Sequence, residues 1–120
     1  MSTIRVDNFG PSAGGTTYSA RGIAKAWLFY DLPNNEIDVS LNTSSVTDDG
    51  TGKYTQNVTS GFSGSGFNSR TYAGMCPAQD RLVTFTGTAT ATSHQVDLYD
   101  VGSSSASETN SSLIVHGDLA

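Results

Sequence analysis

Ile23-Ala24-Lys25-Ala26-Trp27-Leu28-Phe29-Tyr30 is the most apolar stretch of the chain, bounded by Gly22 before it and by Leu32-Pro33-Asn34-Asn35 after it. Its length between turn residues is that of a β-strand, short for a helix. On an extended backbone successive side chains alternate, so Ile23, Lys25, Trp27 and Phe29 share one face and Ala24, Ala26, Leu28 and Tyr30 the other. Both faces carry apolar groups, the pattern of a central strand or of a strand with one face in a subunit interface.

Working outward, Glu36-Ile37-Asp38-Val39-Ser40-Leu41 alternates strictly, and Ser45-Val46-Thr47 leads through Asp48-Asp49-Gly50-Thr51-Gly52 into Lys53 to Thr59. Acidic residues running into glycines between two β-prone segments are a strong hairpin signal. Ser60 to Ser69 reads as a Gly/Ser loop in which Phe62 and Phe67 are anchors or exposed contacts. Strands are expected again over Arg70 to Met75 and along Arg81 to Thr92, with Val83, Phe85, Ala89 and Ala91 facing one way. A turn near Ser93-His94 leads to Gln95 to Val101, a polar loop runs from Gly102 to Asn110, and Ser112 to Gly117 forms a last strand. The expectation is an all-β antiparallel β-sandwich of about six to eight short strands over residues 23–120. Residues 1–22, with Phe9-Gly10-Pro11, Gly14-Gly15 and the alternating Ile4-Arg5-Val6-Asp7, read as an extended N-terminal arm. That arm either docks on a partner or folds back on its own domain as an edge strand.

Composition agrees with one modest core. The 120 residues are 36% hydrophobic and 14% charged, with Gly at 13 positions, so one hydrophobic core is the limit. Ser and Thr fill roughly a quarter of the positions, and the recurring Thr, Val, Tyr and Phe are strand formers. Arg5, Arg21, Lys25, Lys53, Arg70 and Arg81 are scattered in a chain of net charge −5, which leaves no basic patch for nucleic acid. Cys76 is the single cysteine, so no intrachain disulfide forms and the residue reads as a small buried apolar side chain. No apolar run has membrane-spanning length and the N-terminus lacks signal-peptide character, which points to synthesis in a cytoplasm without a secretion address.

Catalytic spacings are missing. Gly61-Phe62-Ser63-Gly64-Ser65-Gly66 does not have the Gly-x-Ser-x-Gly spacing of a nucleophile elbow, nor a phosphate-binding pattern followed by a helix. His94 and His116 have no ligand at a metal-site interval and read as surface residues. Asp48-Asp49-Gly50 lacks the alternating ligands and closing Glu of a calcium loop, so turn formation explains it. Asn42-Thr43-Ser44, Asn57-Val58-Thr59 and Asn110-Ser111-Ser112 fit the glycosylation triplet, as chance supplies in a chain so rich in Ser and Thr. No catalytic residue, cofactor or metal site is expected.

Two motifs carry a likeness to a known family. Lys25-Ala26-Trp27 with Phe29, followed after a polar spacer by Asn42-Thr43-Ser44-Ser45-Val46-Thr47-Asp48-Asp49-Gly50-Thr51-Gly52-Lys53-Tyr54-Thr55, resembles in order and gap a β-domain of tail-fibre and virion-structural proteins of tailed bacteriophages, many of them marine. Met1 to Asp7 looks like the short start of such proteins, and Gln95 to Gly117 like their closing hairpin. Gln56-Asn57-Val58-Thr59 is more polar than the family's strand end, and Gly61 to Asp80 departs from its pattern.

The resemblance implies a non-enzymatic virion component, made in the host cytoplasm and exposed on the particle, with other virion proteins as partners. The leading expectation is a short tail fibre or appendage subunit that assembles as a homotrimer and touches a host-surface glycan or protein. The alternatives are a capsid decoration or head-fibre protein gripped through its arm, and a carbohydrate-binding module. Ile4, Val6, Trp27 and Phe29 are the candidate assembly residues. Phe62, Phe67, Tyr72 and Tyr99 are the candidate surface contacts, their rings available for stacking on sugar.

Overall fold

The computed structural model describes residues 8–9, 18–19 and 23–120, which form strands and connecting loops with a single short 3-10 turn at Phe67–Ser69. The strands are β1 (Asn8–Phe9), β2 (Tyr18–Ser19), β3 (Ala26–Asp31), β4 (Glu36–Leu41), β5 (Thr43–Gly50), β6 (Lys53–Val58), β7 (Arg70–Met75), β8 (Arg81–Thr84), β9 (Ser93–Asp100), β10 (Ser105–Ala106) and β11 (Ser111–Gly117). β1 pairs with β2. Ile4 and Val6 lie outside the described residues.

The other strands make an antiparallel sandwich, the fold class expected from periodicity. One sheet has the order β4-β3-β11-β7. In the second, β9 is central: β8 lies along one side of it, β6 and then the short β10 along the other, and β5 is outside β6. The core fills the space between the sheets. Ala26, Leu28 and Tyr30 of β3 and Leu113 and Val115 of β11 meet Tyr54 and Val58 of β6 and Val96 and Leu98 of β9, each from the inward set of an alternating strand. The Tyr30 and Tyr54 rings pack with centroids 4.8 Å apart. The Tyr54 hydroxyl, buried at the centre, shares a hydrogen bond of 2.9 Å with Ser111 Oγ, which supplies the polar partner that a buried phenol requires.

Turn chemistry sets the connections. The β5–β6 hairpin falls where Asp48 to Gly52 predicts it, and the Gly50 N–H donates to Asp48 Oδ1 at 2.9 Å. Gly52 has a φ of 64°, and a Cβ there would lie 2.6 Å from the Ser107 backbone nitrogen. Only glycine suits both constraints. Glu108 then accepts the Gly52 N–H at 2.7 Å, tying the hairpin to the Gly102–Asn110 loop. Asn42, with a φ of 56°, turns the chain from the first sheet into the second. Its side chain donates to the carbonyls of Lys25 and Ser60, both at 3.0 Å, and accepts the Ser60 N–H at 2.7 Å. The crossover is thereby pinned to both sheets.

Three expectations change. The Arg81–Thr92 run is a strand only as far as Thr84, because Gly87 adopts a φ of 70° and the chain leaves the sheet toward Ala89. Strand β9 begins at Ser93, where a turn was expected, and His94 is fully buried in it rather than on the surface. The strict alternation of β4 is broken by a bulge: Val39 opposes Phe29, yet Ile37 opposes Tyr30, so Asp38 is the extra residue.

Candidate assembly surface

The outward set of the first sheet forms a continuous apolar face. Cross-strand register aligns Leu41, Trp27, Ile114 and Ala73 in one row across all four strands, and Val39, Phe29, Ser112 and Met75 in the next. None of these eight side chains ionises. Met75 is 65% exposed, Val39 52%, Leu41 47% and Ile114 43%, while Trp27 and Phe29 lie half-buried among them. Trp27 and Phe29 are thus brought together on an outer face, as the alternation at Ile23–Tyr30 implies. Lys25 and His116 stand at one end of the rows, and Asp31 and Glu36 at the other.

The face is uneven. On the β4–β3 side it carries Leu41, Val39, Trp27 and Phe29; on the β11–β7 side small Ala73 and Ser112 leave a shallow hollow of ≈ 220 Å³ against Met75 and Ile114. A second hollow of ≈ 520 Å³ lies at the Asn42 corner, between Leu41, Thr59 and Leu119.

The candidate contact aromatics do not form a set. Phe62 is corrected outright: it is 1% exposed and belongs to the core, with the Arg70 guanidinium carbon 4.3 Å above its ring. The loop carrying it folds inward because burying a phenyl ring under a cation gains more than solvating it. Phe67 and Tyr72 are half-buried against each other with centroids 5.5 Å apart, and Tyr72 packs on Phe85 at 4.6 Å and His94 at 5.2 Å. Burial raises the Tyr72 phenol pKa. Tyr99 alone of the four is exposed, on the second sheet beside its register partner Leu82.

Behind those rings lies a buried polar cluster that sequence reasoning missed. Arg70 donates to the carbonyls of Gly64, at 3.0 Å, and Thr90, so its guanidinium holds two loops together through main-chain oxygens. His94 Nε2 meets Gln56 Oε1 at 2.8 Å, and the Gln56 amide donates to Thr43 Oγ1 at 2.7 Å. His94 Nδ1 has no hydrogen-bond partner among the described residues. Burial, with the nearby Arg70 charge, lowers the His94 pKa to about 4. The imidazole is therefore neutral at pH 7 and serves as packing. Cys76 is half-buried beside the core with its thiol pKa raised by burial, which fits an inert side chain.

Among the described residues no group of three or more His, Cys, Asp or Glu side chains is placed to hold a metal, and no helix is long and apolar enough to cross a membrane. In comparison with known proteins, the chain matches no protein-family model, and no curated protein or solved structure matches it significantly.

Proposed function

We propose that this protein is a non-enzymatic structural subunit of a tailed-bacteriophage virion, a short tail fibre or appendage component that self-assembles, with a homotrimer as the expected state, and turns its polar side outward toward the host. The observation that carries this reading is the apolar outer face of the β4-β3-β11-β7 sheet. A sandwich that worked alone in water would place polar side chains on that face, and contiguous apolar patches of this kind mark interaction sites. The sequence likeness adds support, since its two specific motifs fall on β3, which supplies Trp27 and Phe29 to the face, and on the β5–β6 hairpin.

Quantitative mass spectrometry of purified particles tests the assignment. A tail appendage is expected in a few copies per particle, whereas many tens would move the protein to capsid decoration. Absence from particles overturns the virion reading. The carbohydrate-binding alternative loses ground, because Phe62 is buried and Phe67 and Tyr72 pack on each other, leaving Tyr99 as the one exposed ring of the set.

A further inference from the structure

We infer that the occupant of the apolar face is a second copy of this chain, seated so that the bulky β4–β3 half of one copy enters the hollow on the β11–β7 half of the next. This deepens the self-assembly part of the reading above and does not require the virion assignment.

Three observations select a like copy. The first is size. Two rows across four strands about 4.8 Å apart, each row taking about two residues of strand length, span ~19 by ~13 Å, or ~250 Å² in flat projection and more as corrugated accessible surface. With corrugation that reaches the size of the largest apolar patch of a typical monomer, enough for the apolar centre of an interface whose rim is the polar residues around the rows.

The second is charge. The chain carries a net charge of −5, so two copies repel at most approaches. The two rows from Leu41 to Ala73 and from Val39 to Met75 contain no ionisable group, and contact through them puts no carboxylate against another at the centre. The opposite sheet offers no such surface, since Lys53 and Asp97 stand on its outer face.

The third is shape. Exposed Leu41 and Val39 flank the half-buried rings of Trp27 and Phe29, while Ala73 and Ser112 leave the ≈ 220 Å³ hollow on the adjoining pair of strands. By side-chain size the first half is the bulkier, and the hollow lies in the second. A rotation axis running along the strands brings the bulky half of each copy against the small half of its neighbour. Two or three copies close around such an axis, and the trimer expected above is one of these assemblies.

Sedimentation velocity and native mass measurement on the full-length protein test the inference, with Val39→Asp and Met75→Lys on the apolar face and Thr55→Lys, which keeps a donor beside Asp49, on the opposite face. The wild type is expected as a closed oligomer. Each apolar-face variant raises the dissociation constant at least about tenfold, because a charge must lose water to enter the contact. Thr55→Lys leaves it unchanged. Circular dichroism on each variant confirms folding, and Met75→Lys, at the most exposed position, keeps the test informative if Val39→Asp does not fold. A wild type that stays monomeric at the highest attainable concentration overturns the inference, which is also the outcome if residues 1–22 of the same chain cover the face. An oligomer unmoved by both apolar-face variants overturns it as well. Neither failure touches the particle measurement, so the virion reading and this one can fall separately.

Discussion

The two outward faces of the sandwich are built on one backbone pattern and differ in nearly every side chain. On the first sheet the rows read Leu41, Trp27, Ile114, Ala73 and Val39, Phe29, Ser112, Met75. On the second they read Thr47, Thr55, Gln95 and Ser45, Asn57, Ser93. The second face satisfies itself and water: Asn57 donates to Ser45 Oγ at 3.1 Å and Thr47 Oγ1 at 3.3 Å, and Asp49 accepts from Thr55 at 2.5 Å and Gln95 at 3.3 Å. Within the two rows of the first face the described residues supply one long side-chain hydrogen bond, from the Ser112 hydroxyl to the Met75 carbonyl at 3.5 Å. Since one core lies between them, the difference is not required for folding. It teaches that the sandwich joins a hydrogen-bonded polar face over β5, β6 and β9 to a face of exposed apolar side chains over β4, β3, β11 and β7.

The largest expected effect compares neighbours on β3 that point in opposite directions. Leu28→Ala removes a 1% exposed core side chain and is expected to cost about 2–5 kcal/mol in denaturant unfolding. Trp27→Ala, one residue away on the outer face, should cost the dissociated chain much less while weakening association. Equal losses in both variants under dissociating conditions would mean that the outer face is part of the fold's own core.

Next comes acid. His94 has its pKa lowered to about 4 in the fold, below the ordinary histidine value of 6.5, so the unfolded chain binds the proton first as pH falls. Stability contributed by neutral His94 is complete above pH ~6.5 and is lost as pH drops toward 4, by about 3 kcal/mol in all. Denaturation at a series of pH values checks this, and His94→Gln should flatten the slope in that window. Gln56, which meets the ring at Nε2, carries no titratable group, and burial moves the Tyr72 phenol away from the window. The two apolar rows hold no ionisable group, and the His94→Gln comparison separates the buried imidazole from His116, Asp31 and Glu36 at the ends of the rows.

A smaller effect is expected at the corner that joins the two sheets. Asn42→Ala removes three side-chain hydrogen bonds and strains a residue with positive φ, for a loss of about 1–3 kcal/mol, while Asn42→Gly, which keeps the backbone conformation, should lose less. Smallest of all, Thr55→Ala and Asn57→Ala on the solvated face should shift stability by no more than about 0.5 kcal/mol each and leave the oligomer intact. If instead they dissociate it, the roles of the two faces are reversed.

Alternation along Ile23 to Tyr30, the Asp48 to Gly52 turn and the final Ser112 to Gly117 strand were enough to establish an all-β sandwich, because side-chain period and turn chemistry are local properties of the chain. Trp27 and Phe29 were legible as a shared face for the same reason. Periodicity says which residues lie together but not which side is inside, and β4 shows this directly: Val39 and Leu41, which as isolated alternating apolar residues could equally have been core, point outward. That choice is made by pairing with β3, and the rows that add Ile114 and Met75 exist only once β11 and β7 are in register. His94 and Phe62 were misplaced on the surface for a related reason. Their burial depends on Gln56, Thr43 and Arg70, partners distant in the chain that satisfy a polar atom or cover a ring only after the sheets close. The sequence by itself determined the strands and their two faces; the tertiary structure decided which face became core, because burial belongs to the packed pair of sheets and not to either strand alone.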